Sequence, residues 1–192
     1  MSFQPLLQFE QDLAQYTGAP YVVVTDCCTH AIELAMRYDL VTECSFSAFT
    51  NLSIPQLMRR LGIGYTLTDE QWQGEYQFHG TRIWDSARRL ERHMYRAGQI
   101  QCVSFAYSKP MQLGRCGALL TDDVEVYDVV GQMRADGRML QSRPSQAQQR
   151  FRVGYHYCPT LEICELGSRA LKIHRGQSQQ AVYPDCRQIE IS

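Results

Sequence analysis

The sequence predicts an α/β domain, a mostly parallel sheet flanked by helices, and two observations lead there. Short apolar or β-branched runs, several of them ending in an acid, alternate with segments whose apolar residues recur at helical spacing. The chain of 192 residues is 44% hydrophobic and 20% charged, which suits one ordinary globular domain with a sizeable core. No internal repeat breaks the alternation.

Taken in order, residues 3–16 space Phe3, Leu6, Leu7, Phe9, Leu13 and Tyr16 as a helix that Gly18 stops. "PYVVVTD" (20–26) is a β-branched strand, after which Thr29 can cap a helix through "HAIELAMRY" (30–38). "ECSFSAFT" (43–50) reads as a strand or loop, and "NLSIPQLMRRLG" (51–62) as a helix with Pro55 in its first turn and Gly62 at its end. "IGYTLTD" (63–69), "TRIWDSA" (81–87), "QCVSFAYS" (101–108) and "GALLTDD" (117–123) continue the strands, and a helix follows through "DVEVYDVVGQMRADGR" (123–138). Residues 138–152 are polar and aperiodic, the mark of a mobile loop or interface arm. Helical spacing returns through Leu161, Cys164, Leu166 and Leu171. A single domain is therefore expected over residues 1–175, with a polar C-terminal tail at 176–192.

A net charge of −1 offers no basic field for nucleic acid, and the cluster "RRLERHMYR" (88–96) reads as a solvated helical face. The start lacks the basic and apolar regions of a signal peptide, and no run of apolar residues is long enough to span a membrane. Eight cysteines without such a signal are expected as reduced thiols in the cytoplasm, with Cys27 and Cys28 as small apolar filler. With neither a CxxC pair nor an HxxxH or HExxH motif, no metal site is expected.

Sites in open α/β sheets form beyond the carboxyl ends of the strands. Thr29, Asp85 and Lys109 all follow predicted strands. Alone, each has a plainer use: a helix cap, a turn former, a surface lysine. Together they match the needs of pyridoxal phosphate, which takes an amine for its aldehyde, a carboxylate for its ring nitrogen and a helix start for its phosphate. Ser104 adds a hydroxyl, and Phe46, otherwise a core residue, could cover the ring.

The same stretches, in order, resemble the DegT/DnrJ/EryC1/StrS family of pyridoxal-phosphate-dependent, fold-type I sugar aminotransferases. "FEQDLAQYTGAPYVVVTDCCTHAIEL" is similar to that family's opening helix, strand and SGTAAL turn, and "SFSAF" to its TFxAT segment. "WDSAR" resembles EDAAH, "SFAYSKPMQLGRCG" the SFxxxKxxxxGxGG segment, and "GYHYCPTLEICE" GYNYRMTELQAA. The resemblance implies a Schiff base between Lys109 and the cofactor, proton transfer by the same lysine, and Asp85 on the pyridine nitrogen. It also implies Thr29, the Cys28 N–H and Ser104 on the phosphate, and Phe46 stacked on the ring. His156 stands where the family has an Asn that reaches the neighbouring subunit's cofactor, which implies a homodimer with shared sites. A small-molecule amino donor and a keto acceptor, a sugar nucleotide or similar, would be the substrates.

The departures are Cys28 for the glycine of SGT, Arg88 for the His or Gln after the Asp, Cys116 within the GxGG turn, and Cys158 for the arginine of NYRM. Arg88 would place a positive charge near a cofactor oxygen or point away. Family members run to roughly twice this length, so the form is a minimal one lacking most of the C-terminal domain. Two alternatives stay open: a pyridoxal-phosphate-dependent decarboxylase or lyase acting on an amino-acid-like or nucleotide-linked group, and a non-catalytic dimeric module.

Overall fold

The structure, a computed structural model, describes residues 3–140 and 148–190. Helix α1 (Gln4–Thr17) ends at Gly18, whose φ of 78° is the left-handed turn its amide needs to reach the Ala14 carbonyl. Strand β1 (Tyr21–Thr25) and helix α2 (Cys28–Tyr38) follow. Next come β2 (Glu43–Ser47), α3 (Ser53–Leu61) and β3 (Gly64–Thr68). The remaining strands are β4 (Tyr76–Gln77), β5 (Ile83–Asp85), β6 (Arg89–Leu90), β7 (Ile100–Ser104), β8 (Gly117–Thr121) and β9 (Gln177–Ser178). Helices α4 (Val124–Arg134) and α5 (Leu161–Ile173) complete the frame, with a short 3-10 turn at Cys186–Gln188.

The central sheet runs β1-β8-β7-β5-β4. It is mixed rather than mostly parallel: β1, β5 and β7 point one way, while β8 and β4 run against their neighbours. The reason lies in the connections. Residues 105–116 join β7 to β8 without a helix, and a connection that short returns the chain antiparallel rather than crossing over. Strands β2 and β3 do pair parallel, across α3, but as a separate two-stranded sheet.

Alternation along the strands divides the interior in two. Val23, Cys102 and Leu119 face α2, α3 and α4 on one side. Val22, Val24, Val103, Ala118 and Leu120 face α1 and α5 on the other, against Leu6, Phe9, Leu13 and Leu171. All eight cysteines are free; Cys27 and Cys158 are half-buried and the other six are buried. Among the described residues no helix is long and apolar enough to cross a membrane.

Segment 88–96 is not the helical face expected. Lacking an apolar stripe to bury, it lies as β6 and irregular chain, with Leu90 and Met94 in the core. Arg89 and Arg96 converge on Glu75 at 2.5 and 2.7 Å. Burial would raise the Glu75 carboxyl, but Arg96, Ser86 and Arg89 together hold it below its ordinary value. Of the expected arm at 138–152, residues 141–147 lie outside the described residues, and Met139 and Gln148 on either side join by two hydrogen bonds. The described part of the polar tail is docked on the body through β9, which pairs with β6.

Strand β1 lies at the sheet's edge, and its outward-facing backbone polar groups need partners. The Val24 N–H donates to Glu10 Oε1 at 2.9 Å, and its carbonyl accepts from Arg134 Nη1 at 2.7 Å. Arg134 also donates to Glu10, closing a buried ion pair among α1, β1 and α4. Removing one partner leaves the other charge buried and Val24 unpaired. Arg134→Ala is therefore expected to lower unfolding free energy by about 3–5 kcal/mol in a urea titration, and a change under 1 kcal/mol would contradict this role.

Candidate functional site

The parallel strands β1, β5 and β7 all end at one edge of the sheet, and most of the residues singled out above gather there. Thr25 of β1 and Ser104 of β7 flank Gly117 of β8 in register. The start of α2 lies directly on that glycine. A Cβ there would stand 2.3 Å from the Cys28 nitrogen and 2.5 Å from the Cys27 carbonyl carbon. Only a glycine on β8 leaves room for the α2 start to approach this closely. The Cys28 side chain turns inward, its Sγ 3.5 Å from the Cys102 carbonyl oxygen, and burial pushes its thiol well up.

The turn after β1 is tighter than expected, so Cys27 is the N-cap of α2 and Thr29 lies within its first turn. Thr29 Oγ1 shares a 3.1 Å hydrogen bond with the hydroxyl of Ser53, the first residue of α3. Two helix N-termini, each with a hydroxyl, therefore meet at this edge, where their dipoles favour an anion. Ser104 sits within the same row, its Oγ accepting from the Ala106 N–H at 3.4 Å.

Asp85 ends β5 and is only 4% exposed. Its Oδ2 accepts from the Tyr76 hydroxyl at 3.0 Å and its Oδ1 from the Ala87 N–H at 2.9 Å. Since Tyr76 gives its proton to Asp85, the Thr50 hydroxyl at 2.7 Å donates to Tyr76. Burial raises the Asp85 carboxyl, against the opposing pull of the Lys109 charge, the Ala87 N–H, Tyr76 and Arg88.

Lys109 lies in the turn after β7, its amide donating to the Ala106 carbonyl at 2.9 Å. It is 6% exposed, and Nζ donates to the hydroxyl of Tyr183, which comes from the docked tail. The Tyr183 ring stacks on Trp72 at 6.0 Å and 22°, and the Arg88 guanidinium lies over it at 4.8 Å. Arg88 thus covers a ring, close enough to Asp85 to lower its carboxyl. Phe46 is fully buried, its ring against Tyr65 and Phe78. The His156 side chain is 89% exposed and lies 3.2 Å from Asp136. Ser53, Thr50, Tyr76 and Tyr183 escaped the sequence reading. Only Ser53 left a trace there, as a hydroxyl two residues before Pro55 at a predicted helix start.

At the start of α2, donor atoms of Asp26, Cys27 and His30 lie within 4.8 Å of one another. They are engaged with neighbours: His30 Nδ1 meets Asp26 at 2.6 Å, Arg115 meets Asp26 at 3.0 Å, and the His30 ring stacks on Tyr157 at 3.6 Å. Burial alone would lower the imidazole, but Asp26 and Cys27 push it up from 6.5 to about 9. The folded value is the raised one, so this stabilisation is complete below pH 6.5 and lost as pH rises through about 9. Between those values the protein is expected to lose about 1–2 kcal/mol of stability, less than full linkage because the pair is partly solvated. His30→Gln should remove that slope in chemical denaturation at pH 6.5 and 9, and an unchanged slope would refute the assignment. Gly117→Ala should cost roughly 1–3 kcal/mol in the same assay, because the added Cβ overlaps backbone.

Residues 3–71 match the family model described as the DegT/DnrJ/EryC1/StrS aminotransferase family. No curated protein matches the sequence. Among solved structures, AtS13 from Actinomadura melliaura superposes with a TM-score of 0.72 at 18% identity, covering 90% of this chain and 60% of that one. DesI, solved in the presence of its TDP-sugar product, gives 0.72 at 17% identity, covering 88% and 53%. Helicobacter pylori PseC, an aminotransferase involved in the biosynthesis of pseudoaminic acid, gives 0.70 at 14%, covering 88% and 57%. This chain therefore spans little more than half the length of the structures it matches. Over residues 3–71 the chain is similar in sequence to the DegT/DnrJ/EryC1/StrS aminotransferase family, and over 90% of its length it shares the fold of AtS13.

Proposed function

We propose that the chain binds pyridoxal phosphate at Lys109 and transfers an amino group to the keto group of a sugar nucleotide or similar small molecule. The observation that carries this reading is one convergence. A buried amine, a buried carboxylate and two hydroxyl-bearing helix starts meet at the carboxyl ends of β1, β5 and β7. That donor set fits the cofactor's aldehyde, ring nitrogen and phosphate in turn. Support for the substrate class comes from the TDP-sugar product of DesI and from PseC, an aminotransferase of pseudoaminic acid biosynthesis.

Pyridoxal phosphate, when bound, supplies an electron sink for bond cleavage at an amino-bearing carbon. The protein's own groups have distinct tasks. Thr29, Ser53 and Ser104, with the N–H groups opening α2, would hold the phosphate; the N–H of Cys28 is among them. Asp85, kept in place by Tyr76 and Ala87, would hold a proton on the ring nitrogen, and Thr50 fixes Tyr76 for that purpose. Lys109 would take the proton from the substrate carbon and return it. Arg88 brings a fixed positive charge to the same wall. A second copy of the chain would approach His156, whose exposed side chain leans on Asp136 at the surface, so the assembly proposed is a homodimer. Free thiols throughout suit a cytoplasmic setting.

A non-catalytic module is the second reading, favoured by the cover that Tyr183 places over Lys109. One experiment separates the two. Lys109 and Lys172 are the chain's only lysines, so borohydride reduction after adding pyridoxal phosphate can be mapped without ambiguity. The expected result is an adduct on Lys109, absent in Lys109→Ala, with Asp85→Asn lowering aminotransfer on the order of 100-fold. No adduct in folded protein, nor in a variant whose Lys109 is uncovered, would leave the module reading.

A further inference from the structure

Tyr183 holds the position at Lys109 that an aromatic ligand would need. Its hydroxyl accepts from Nζ, its ring lies on Trp72, and the Arg88 guanidinium covers it. Trp72 in turn lies 4.9 Å from Tyr76, the residue that donates to Asp85. A flat ring with a hydroxyl directed at the lysine is thus joined through Trp72 and Tyr76 to the carboxylate, and the amine is left almost without solvent access.

The segment that delivers this ring is fastened on both sides, and only lightly. Upstream, β9 pairs for two residues with β6, the Gly74 N–H donates to the Gln179 carbonyl, and the Gln179 N–H donates to the Arg88 carbonyl, both at 2.9 Å. Downstream, the Cys186 N–H donates to the Ala48 carbonyl at 2.9 Å, its Sγ lies 3.4 Å from the Thr50 carbonyl oxygen, and Arg187 reaches Asp69 at 2.7 Å. Between the two fastenings Val182 is 76% exposed, and Cys186 is the sole fully buried apolar side chain among described residues 176–190. Segments held by a few backbone bonds and little buried apolar surface open at low cost. Three of the fastening points, Arg88, Thr50 and Lys109, also belong to the candidate site. Strap and site are thus linked physically.

From this geometry we propose that residues 176–190 form a strap that covers Lys109 through Tyr183, and that the strap must lift before an aldehyde ligand can reach the amine. Tyr183 is then an intramolecular competitor of the cofactor. The inference rests on the cofactor reading for its ligand, but the cover itself does not. If the strap is closed in most molecules, apparent affinity for the ligand falls by the open fraction. A permanent wall of the site would behave in the opposite sense, since removing it would weaken binding.

The test uses the full chain as wild type, Tyr183→Ala and Arg187→Ala. The last loosens the downstream fastening from outside the site and remains informative if Tyr183→Ala folds poorly. Trace acetylation with acetic anhydride is mapped at Lys109, with exposed Lys172 as internal standard. The Lys109 to Lys172 ratio should rise roughly tenfold in Tyr183→Ala and by less in Arg187→Ala. Binding of added pyridoxal phosphate should strengthen in the same order, and in wild type it should speed hydrogen exchange at the Gln179 and Cys186 amides. An unchanged acetylation ratio in both variants overturns the proposal, as does weaker cofactor binding in Tyr183→Ala. A raised ratio with no cofactor binding in any variant supports the cover and removes the cofactor reading instead.

Discussion

The buried contact of Arg134 with Glu10 and the Val24 backbone fixes the geometry on which the rest depends. It satisfies both outward backbone groups of Val24 and binds α1 and α4 to β1 at that single residue. Two residues further on, the chain leaves the strand, and by the fourth it has entered α2 on Gly117. Buried ion pairs stabilise less than their Coulomb energy suggests, because both charges leave water. What this pair contributes is position. A strand edge satisfied by a guanidinium and a carboxylate has one depth and one register, and the helix start inherits both.

From that start the site assembles by contacts among elements rather than within any one of them. Thr29 meets Ser53 across two helices, Tyr76 joins Thr50 to Asp85, and Tyr183 reaches Lys109 from 74 residues away. The low dielectric around Asp85 and Lys109 sharpens their mutual influence. Burial raises the carboxyl, and the neighbouring amine opposes that rise. The Asp85 carboxyl therefore responds to where the amine is held, and the strap touches the lysine directly.

Much of this was legible in the residues alone. β-branched runs ending at Asp26 and Asp85, with Lys109 just past another, place three groups at one sheet edge by topology. The direction of β8 was not legible, because apolar periodicity gives a strand's existence and not its sense. The face that Phe46 takes was not legible for a related reason. An aromatic in a short strand can face either way, and the fold turns it into the core. Segment 88–96 carries basic residues at intervals that suit a helix, yet Glu75 draws two of its arginines inward. The strap left no signal, since a polar stretch with one tyrosine has no period, and its partners are distant in sequence.

The distribution of cysteines has a practical consequence. Six thiols are shut away in the native state and two are partly open, so the chain contains its own set of chemical reporters. Each sealed thiol titrates the opening of the part it sits in: Cys28 and Cys102 the inner wall, Cys164 the α1–α5 layer, and Cys186 the tail segment alone. Thiol labelling followed in time would therefore resolve which layer breathes first, without any probe being added to the protein.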